Sequence, residues 1–214
     1  MSTFQIDSAK IIDGLFPESR WDILDETRYK QVLDKLAGVD SLKSEVVEYL
    51  KSKKIKIGFH EQYHSGGGWT VLRNITLTPG NDPMDPFALS LIIHETFHLK
   101  QSLWMRLSMQ GELRAWQYQK EHYPLIANVK GRQIGEAGEA YSRTQDHWDK
   151  LAKLSPDSRE DLETARNLMK SVAKGYRADR LPLYPLLQEI SYHLKQGKFG
   201  QAIKVALNIF RGNA

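Results

Sequence analysis

From Phe87 to Gln110 the chain holds neither glycine nor proline, and apolar residues fall on nearly every side of the stretch. Asp85-Pro86 opens it with a good N-cap residue, followed by the residue best tolerated at the first helical position. Leu89, Leu91, Ile92, Ile93, Phe97 and Leu99 then recur without the one-sided pattern of a surface helix. That distribution predicts a helix crossing the middle of a domain, ending between Ser102 and Met109. Two histidines and a glutamate stand in the middle of this run: His94, Glu95 and His98. Polar side chains buried at such positions are costly without partners, so the helix needs a reason to carry them.

Their spacing supplies one. Residues four apart on a helix stack on one face with Cβ atoms roughly 5–6 Å apart. Two imidazoles so placed can grip a single metal ion, most often zinc at about 2.0–2.1 Å from each nitrogen. Glu95 follows the first histidine directly and projects beside the metal, where a carboxylate can take a proton from a metal-bound water. H-E-x-x-H on a helix is thus the layout of a zinc hydrolase. The bland alternative is a hydrogen-bonded pair of core histidines.

The letters occur twice, because His60, Glu61 and His64 also spell the pattern. That copy follows Lys54-Ile-Lys-Ile-Gly-Phe59, an alternating stretch that reads as a strand, and runs into Gly66-Gly67-Gly68. No helix fits there. In extended chain His60 and His64 lie roughly 13 Å apart at about 3.3 Å per residue, too far to share a metal. The metal expectation therefore rests on HETFH alone.

Composition narrows the remaining classes. With no cysteine, disulfides, thiolate metal sites and cysteine nucleophiles are excluded. The N-terminus lacks a basic segment followed by an apolar one, and no apolar run approaches a membrane span. A cytoplasmic protein without a membrane partner is the expectation. The formal charge is +4, with lysines clustered at Lys51, Lys53, Lys54 and Lys56 and again after Glu189. No nucleic-acid-binding signature accompanies them, so they read as solvated faces and nucleic acid is not an expected partner. Oligomeric state is open.

Along the chain, one domain over residues 1–214 is expected, of α+β class and predominantly helical. Residues 1–53 read as mostly helical, with Trp21, Leu24, Tyr29, Val32, Leu33 and Leu36 at helical spacing up to Gly38, and a second helix capped by Asp40 or Ser41. Residues 54–79 read as a small antiparallel β-hairpin or sheet whose two strands flank the triple glycine. In the second strand Ile75 and Leu77 share one face, and Asn74, Thr76 and Thr78 the other. Its exposed edge has a possible use in binding an extended peptide by strand addition. Residues 85–122 hold the metal-site helices, and residues 140–214 a helical C-terminal half. There Ser155-Pro-Asp-Ser158 is a turn and N-cap, and Gly197 separates a closing helix pair, Leu186–Leu194 and Phe199–Phe210.

A third ligand is sought beyond the motif helix. Gly111 to Gln119 reads as the second half of a helix beginning near Leu103, with Ser108, Gly111 and Ala115 as a small-residue stripe. Glu112 beside that stripe is the first candidate, ahead of Glu121, Glu136 and Glu139. It reaches the histidines only if the motif helix ends early, near Ser102, or if the two helices cross steeply.

With HETFH and Glu112-Leu-Arg-Ala115, the chain resembles the zincin metallopeptidases. It looks most like the gluzincin-type branch, in which H-E-x-x-H is followed by a glutamate ligand in an E-x-x-A helix. The metzincin pattern does not fit, since it needs Gly and His where Gln101 and Trp104 stand. The HExxHxxQ portion and the Gly111-Glu-Leu-x-Ala-Trp116 portion are also similar to small uncharacterised bacterial zincin-like proteins. The resemblance spans residues 75–119. It implies a zincin-like fold, one Zn2+ per chain on His94, His98 and Glu112, and Glu95 as general base. It also implies an edge strand near Ile75 that orients a peptide or protein substrate. A Tyr, His or Arg would stabilise the oxyanion, and Tyr118, His122, Tyr176, Tyr184 and His193 are available.

Two readings follow. The first is a zinc-dependent metallopeptidase of unspecified substrate. The second is a non-catalytic zincin-fold protein, a protein-binding or sensor module with a structural or regulatory metal. An intact Glu95 favours the first, because an enclosed structural site has no use for a carboxylate beside the water position.

Overall fold

The computed structural model describes residues 21–60, 67–69, 74–77, 79, 82–127, 146–172, 178 and 181–211. Among these, helices predominate around one four-stranded sheet. Strand β1 (Trp21–Ile23) leads into helix α1 (Glu26–Ala37), capped by Asp25, whose carboxylate accepts from the Arg28 amide. Helix α2 (residues 40–52) opens with the turn Asp40–Leu42, widens to a π turn at Lys43–Val47 and closes as Glu48–Ser52. Both helices turn their apolar positions inward, so Val32, Leu36, Leu42 and Leu50 are fully buried. Trp21 thus opens a strand, where helical spacing had included it with α1. The Leu24 amide donates to the Ile57 carbonyl and holds this segment against the sheet.

The sheet differs from the expected antiparallel hairpin. Its order is β1, β2 (Ile57–His60), β4 (Ile75–Leu77), β3 (Gly67–Trp69). β2 pairs with β4 in parallel, with Ile57 opposite Ile75, while β1–β2 and β3–β4 are antiparallel. The cause lies in the glycines: Gly67 and Gly68 join Trp69 as a strand outside β4 instead of forming the tip of a hairpin. Glycine is tolerated there because edge strands need little side-chain packing. β4 is consequently interior, and Ile75, Thr76 and Leu77 are all fully buried. The edges are β1 and β3, so the expected edge strand near Ile75 is displaced to Gly67–Trp69. β1 comes so close to β2 that a Cβ on Gly58 would stand 2.7 Å from the Asp22 carbonyl oxygen.

Helix α3 (Pro86–Lys100) carries the motif across the main core, with Leu89, Ile92 and Ile93 fully buried. Asp85 caps it as expected, its carboxylate accepting from the Phe87 amide at 2.8 Å. It ends earlier than the apolar run suggested. Gln101 is extended, the Tyr49 hydroxyl donates to the Leu99 carbonyl, and the Arg106 guanidinium donates to the Gln101 carbonyl. These contacts satisfy carbonyls that a longer helix would have bonded itself. A short helix α4 (Leu103–Arg106) makes the corner, and α5 (Met109–Ala127) runs back along α3. The region expected as one helix from Leu103 is thus two.

α5 bridges to a second core in which Met109 and Leu113 meet Leu162 and Ala165 of α6 (Arg159–Val172). The Pro182 and Leu183 carbonyls accept from the Met109 and Gln110 amides and tie down the first turn of α5. Helices α7 (Leu186–Lys195) and α8 (Phe199–Arg211) form the closing pair, and Gly197 between them takes φ +70°. That left-handed conformation suits glycine. Among the described residues no helix is long and apolar enough to cross a membrane.

Candidate metal centre

The early stop of α3 brings Glu112 to the histidines. α5 starts again at Met109, so its first turn lies level with the last turns of α3. Glu112 Oε2 is 3.1 Å from His98 Nε2, and Glu112 Oε1 is 3.4 Å from His94 Nε2. The two Nε2 atoms are 3.1 Å apart. Around a tetrahedral zinc with bonds of about 2.0–2.2 Å, donor atoms stand roughly 3.3–3.6 Å from one another. The two imidazole contacts use different Glu112 oxygens, and with one ligand atom taken from each residue all three atoms lie within 4.8 Å of one another. All three residues are buried, and together they could hold a metal ion.

Chemistry within the cluster also suits a cation. The unprotonated nitrogen of a neutral imidazole and a carboxylate are both acceptors, and such acceptors cannot face one another without a proton or a metal between them. Burial pushes the His98 imidazole down, but the Glu112 charge and hydrogen bond, helped by Glu95, outweigh it, and His98 is held above the ordinary histidine range. For Glu112, burial alone would push the carboxyl up. The His98 charge and hydrogen bonds with both imidazoles win, and its pKa lies well below the usual value. The N-terminal turn of α5 also favours a negative charge there. Protein without metal thus holds a proton where a metal would replace it.

Supporting contacts treat the three ligands unequally. Trp116, one turn beyond Glu112, donates its Nε1–H to Glu112 Oε1 at 3.0 Å and sets its ring edge against His94, centroids 5.6 Å apart. His98 Nδ1 lies 3.1 Å from Gln101 Oε1. His94 Nδ1 is buried without a hydrogen-bond partner among the described residues. The Gly111 position admits no side chain, since a Cβ would stand 2.0 Å from the Met105 carbonyl oxygen. The small residue at 111 thus serves the corner between α4 and α5, where the sequence had suggested an approach to another helix.

Glu95 is only 5 % exposed, and among the described residues its carboxylate makes no hydrogen bond. Burial pushes its carboxyl above the usual range, against the pull of His94 and His98. A buried carboxyl with no hydrogen bond among the described residues, beside a potential metal centre, is a candidate proton acceptor.

The other candidates are engaged elsewhere. Glu121 is an exposed residue of α5, and Glu136 and Glu139 lie outside the described residues. The Tyr118 hydroxyl donates to Glu45 at 2.7 Å, and burial pushes its pKa up. His122 meets the Tyr118 carbonyl, Tyr184 donates to the Asp157 carbonyl, and His193 pairs with Glu189. Tyr176, Glu61 and His64 fall outside the described residues, while His60 closes strand β2 as the strand reading requires. Gln101 and Trp116 are the contributors that residue-by-residue reading passed over, although both stand inside the stretches that carry the resemblance.

Compared with protein-family models, with curated proteins and with solved structures, the chain gives no match.

Proposed function

We propose that the chain is a zinc-dependent metallopeptidase in which His94, His98 and Glu112 hold the metal and Glu95 is the general base. One observation carries this reading. The His94 and His98 Nε2 atoms and the Glu112 carboxylate converge at 3.1–3.4 Å from two helices, with a buried Glu95 carboxylate that makes no hydrogen bond among the described residues next to the first of them. When bound there, zinc would supply Lewis-acid polarisation of a peptide carbonyl and acidify water to near neutrality. Glu95 accepts the proton of the attacking water on its carboxylate and returns it to the leaving amide nitrogen. Its raised affinity for protons, caused by burial, suits both halves of that transfer. The Gly67–Trp69 edge beside α3 is the place where an extended substrate could add as a strand.

The depth of the centre favours a second reading. His94, His98, Glu95 and Glu112 are each less than a tenth exposed, as expected of an enclosed structural or regulatory metal in a non-catalytic module. Glu95→Gln separates the two. On a quenched fluorescent peptide library, the zinc-loaded wild type should cleave, and the variant should keep its zinc and lose cleavage. Undiminished turnover in Glu95→Gln would remove the general-base role, and no cleavage by zinc-loaded wild type would leave the enclosed-metal reading.

A further inference from the structure

Gln101 joins the two ligand-bearing helices through a single side chain. Its Oε1 is 3.1 Å from His98 Nδ1, and its Nε2 donates to the Gly111 carbonyl at 3.1 Å. Its own carbonyl accepts from Arg106 at 3.0 Å, which holds the backbone at the end of α3. Gly111 immediately precedes Glu112, and no larger residue fits there.

The polarity of this chain of bonds can be deduced. A backbone carbonyl only accepts, so the Gln101 amide must turn its NH2 toward Gly111 and its oxygen toward His98. That oxygen in turn only accepts, so His98 must carry its proton on Nδ1. The nitrogen that faces His94 and Glu112, Nε2, is then the one that gives up its proton and offers its lone pair when a metal enters. A metal-ligating histidine commonly gives its other N–H to such an outer partner. Here that partner is itself oriented by the backbone of the helix that brings the glutamate.

We propose that Gln101 is a positioning residue for the metal centre. It selects the His98 tautomer that leaves Nε2 free, and it locks the spacing between His98 and Glu112. The inference rests on the metal reading of the site for its affinity consequence, but the tautomer can be read without metal. His94, whose Nδ1 has no hydrogen-bond partner among the described residues, packs against the Trp116 ring.

The test uses the full chain in three forms: wild type, Gln101→Leu and Gln101→Glu. Gln101→Leu removes both bonds. Gln101→Glu keeps an acceptor for His98 while losing the donor to Gly111. Zinc affinity, read by competition with a chromogenic chelator, should fall roughly 10–100-fold in Gln101→Leu, the usual range for an outer-shell partner. Gln101→Glu should recover the part of that loss that comes from the His98 bond and keep the part that comes from the bond to Gly111. Imidazole 15N NMR of metal-free protein in alkaline buffer should show His98 protonated on Nδ1 in wild type and Gln101→Glu. In Gln101→Leu that preference should be lost, a change that general loosening of the fold would not produce. Unchanged zinc affinity together with an unchanged tautomer in Gln101→Leu would overturn the proposal. Wild type that takes up no zinc would defeat the metallopeptidase reading instead, while the tautomer result would still decide the role of Gln101.

Discussion

His98 Nε2 lies 3.1 Å from Glu112 Oε2, although the two residues stand on different helices and a corner of chain separates them. The corner makes the contact: α3 stops at Lys100, α4 occupies Leu103–Arg106, and α5 restarts at Met109. Substituting Gly111 should disturb that geometry. In Gly111→Ala the new methyl would meet the Met105 carbonyl at 2.0 Å, closer than any tolerated contact. We expect a loss of about 1–3 kcal/mol, the range for overpacking a tight site. Urea denaturation of metal-free protein should show it, and zinc affinity should fall alongside.

Trp116 offers a milder perturbation. Trp116→Phe keeps most of the ring against His94 but removes the donor to Glu112 Oε1. A hydrogen bond to a charged group contributes roughly 1.5–3 kcal/mol, so zinc should bind about tenfold or more weakly while the fold persists. Chelator competition measures this. Affinity equal to wild type would mean that the carboxylate is oriented by its own helix alone.

How much of this was visible in the letters differs by element. His94 and His98 were legible because helical periodicity alone stacks residues four apart, and Asp85-Pro86 marked where the helix begins. Glu112 was legible only conditionally, since it needed α3 to end early. The cause of that ending is long-range: the hydroxyl of Tyr49, distant in sequence, meets the Leu99 carbonyl. The sheet order escaped for a related reason. Alternation identifies a strand but not its neighbour, so nothing in Ile75–Leu77 distinguishes an edge from an interior strand paired in parallel with Ile57–Phe59. Gln101 and Trp116 are unremarkable letters at helix positions, and their roles depend on which way each side chain's donor points.

Stability without metal should depend on pH in a defined sense. The folded-state pKa of Glu112 is lowered, so its contribution is present above the ordinary carboxylate range and is lost as pH falls through the depressed value. For His98 the folded-state pKa is raised, so its contribution is present below the ordinary histidine value and is lost as pH rises through the elevated one. Glu95→Gln removes the carboxyl that burial raises, whose contribution is lost as pH rises. In that variant, thermal melts in chelator should therefore show a plateau between about pH 4.5 and 6.5, the unperturbed carboxylate and histidine values, with declines on either side. Adding Glu112→Gln should flatten both shoulders. A profile unchanged by that addition would show that the pair does not carry the dependence.

Zinc uptake should release protons for the same reason, because the ion replaces the proton shared by His98 and Glu112. Calorimetry in buffers of different ionisation enthalpy would reveal it as a buffer-dependent heat near neutral pH. An identical heat in every buffer would contradict a protonated metal-free pair.

The most direct test is elemental analysis of purified protein supplied with zinc, in wild type, His98→Ala and Glu112→Ala, with folding checked by circular dichroism. The account predicts about one zinc per chain in wild type, the occupancy of a single three-ligand centre, and its loss in both variants. A well-folded wild type that retains no zinc would contradict it and reduce HETFH to a hydrogen-bonded core motif.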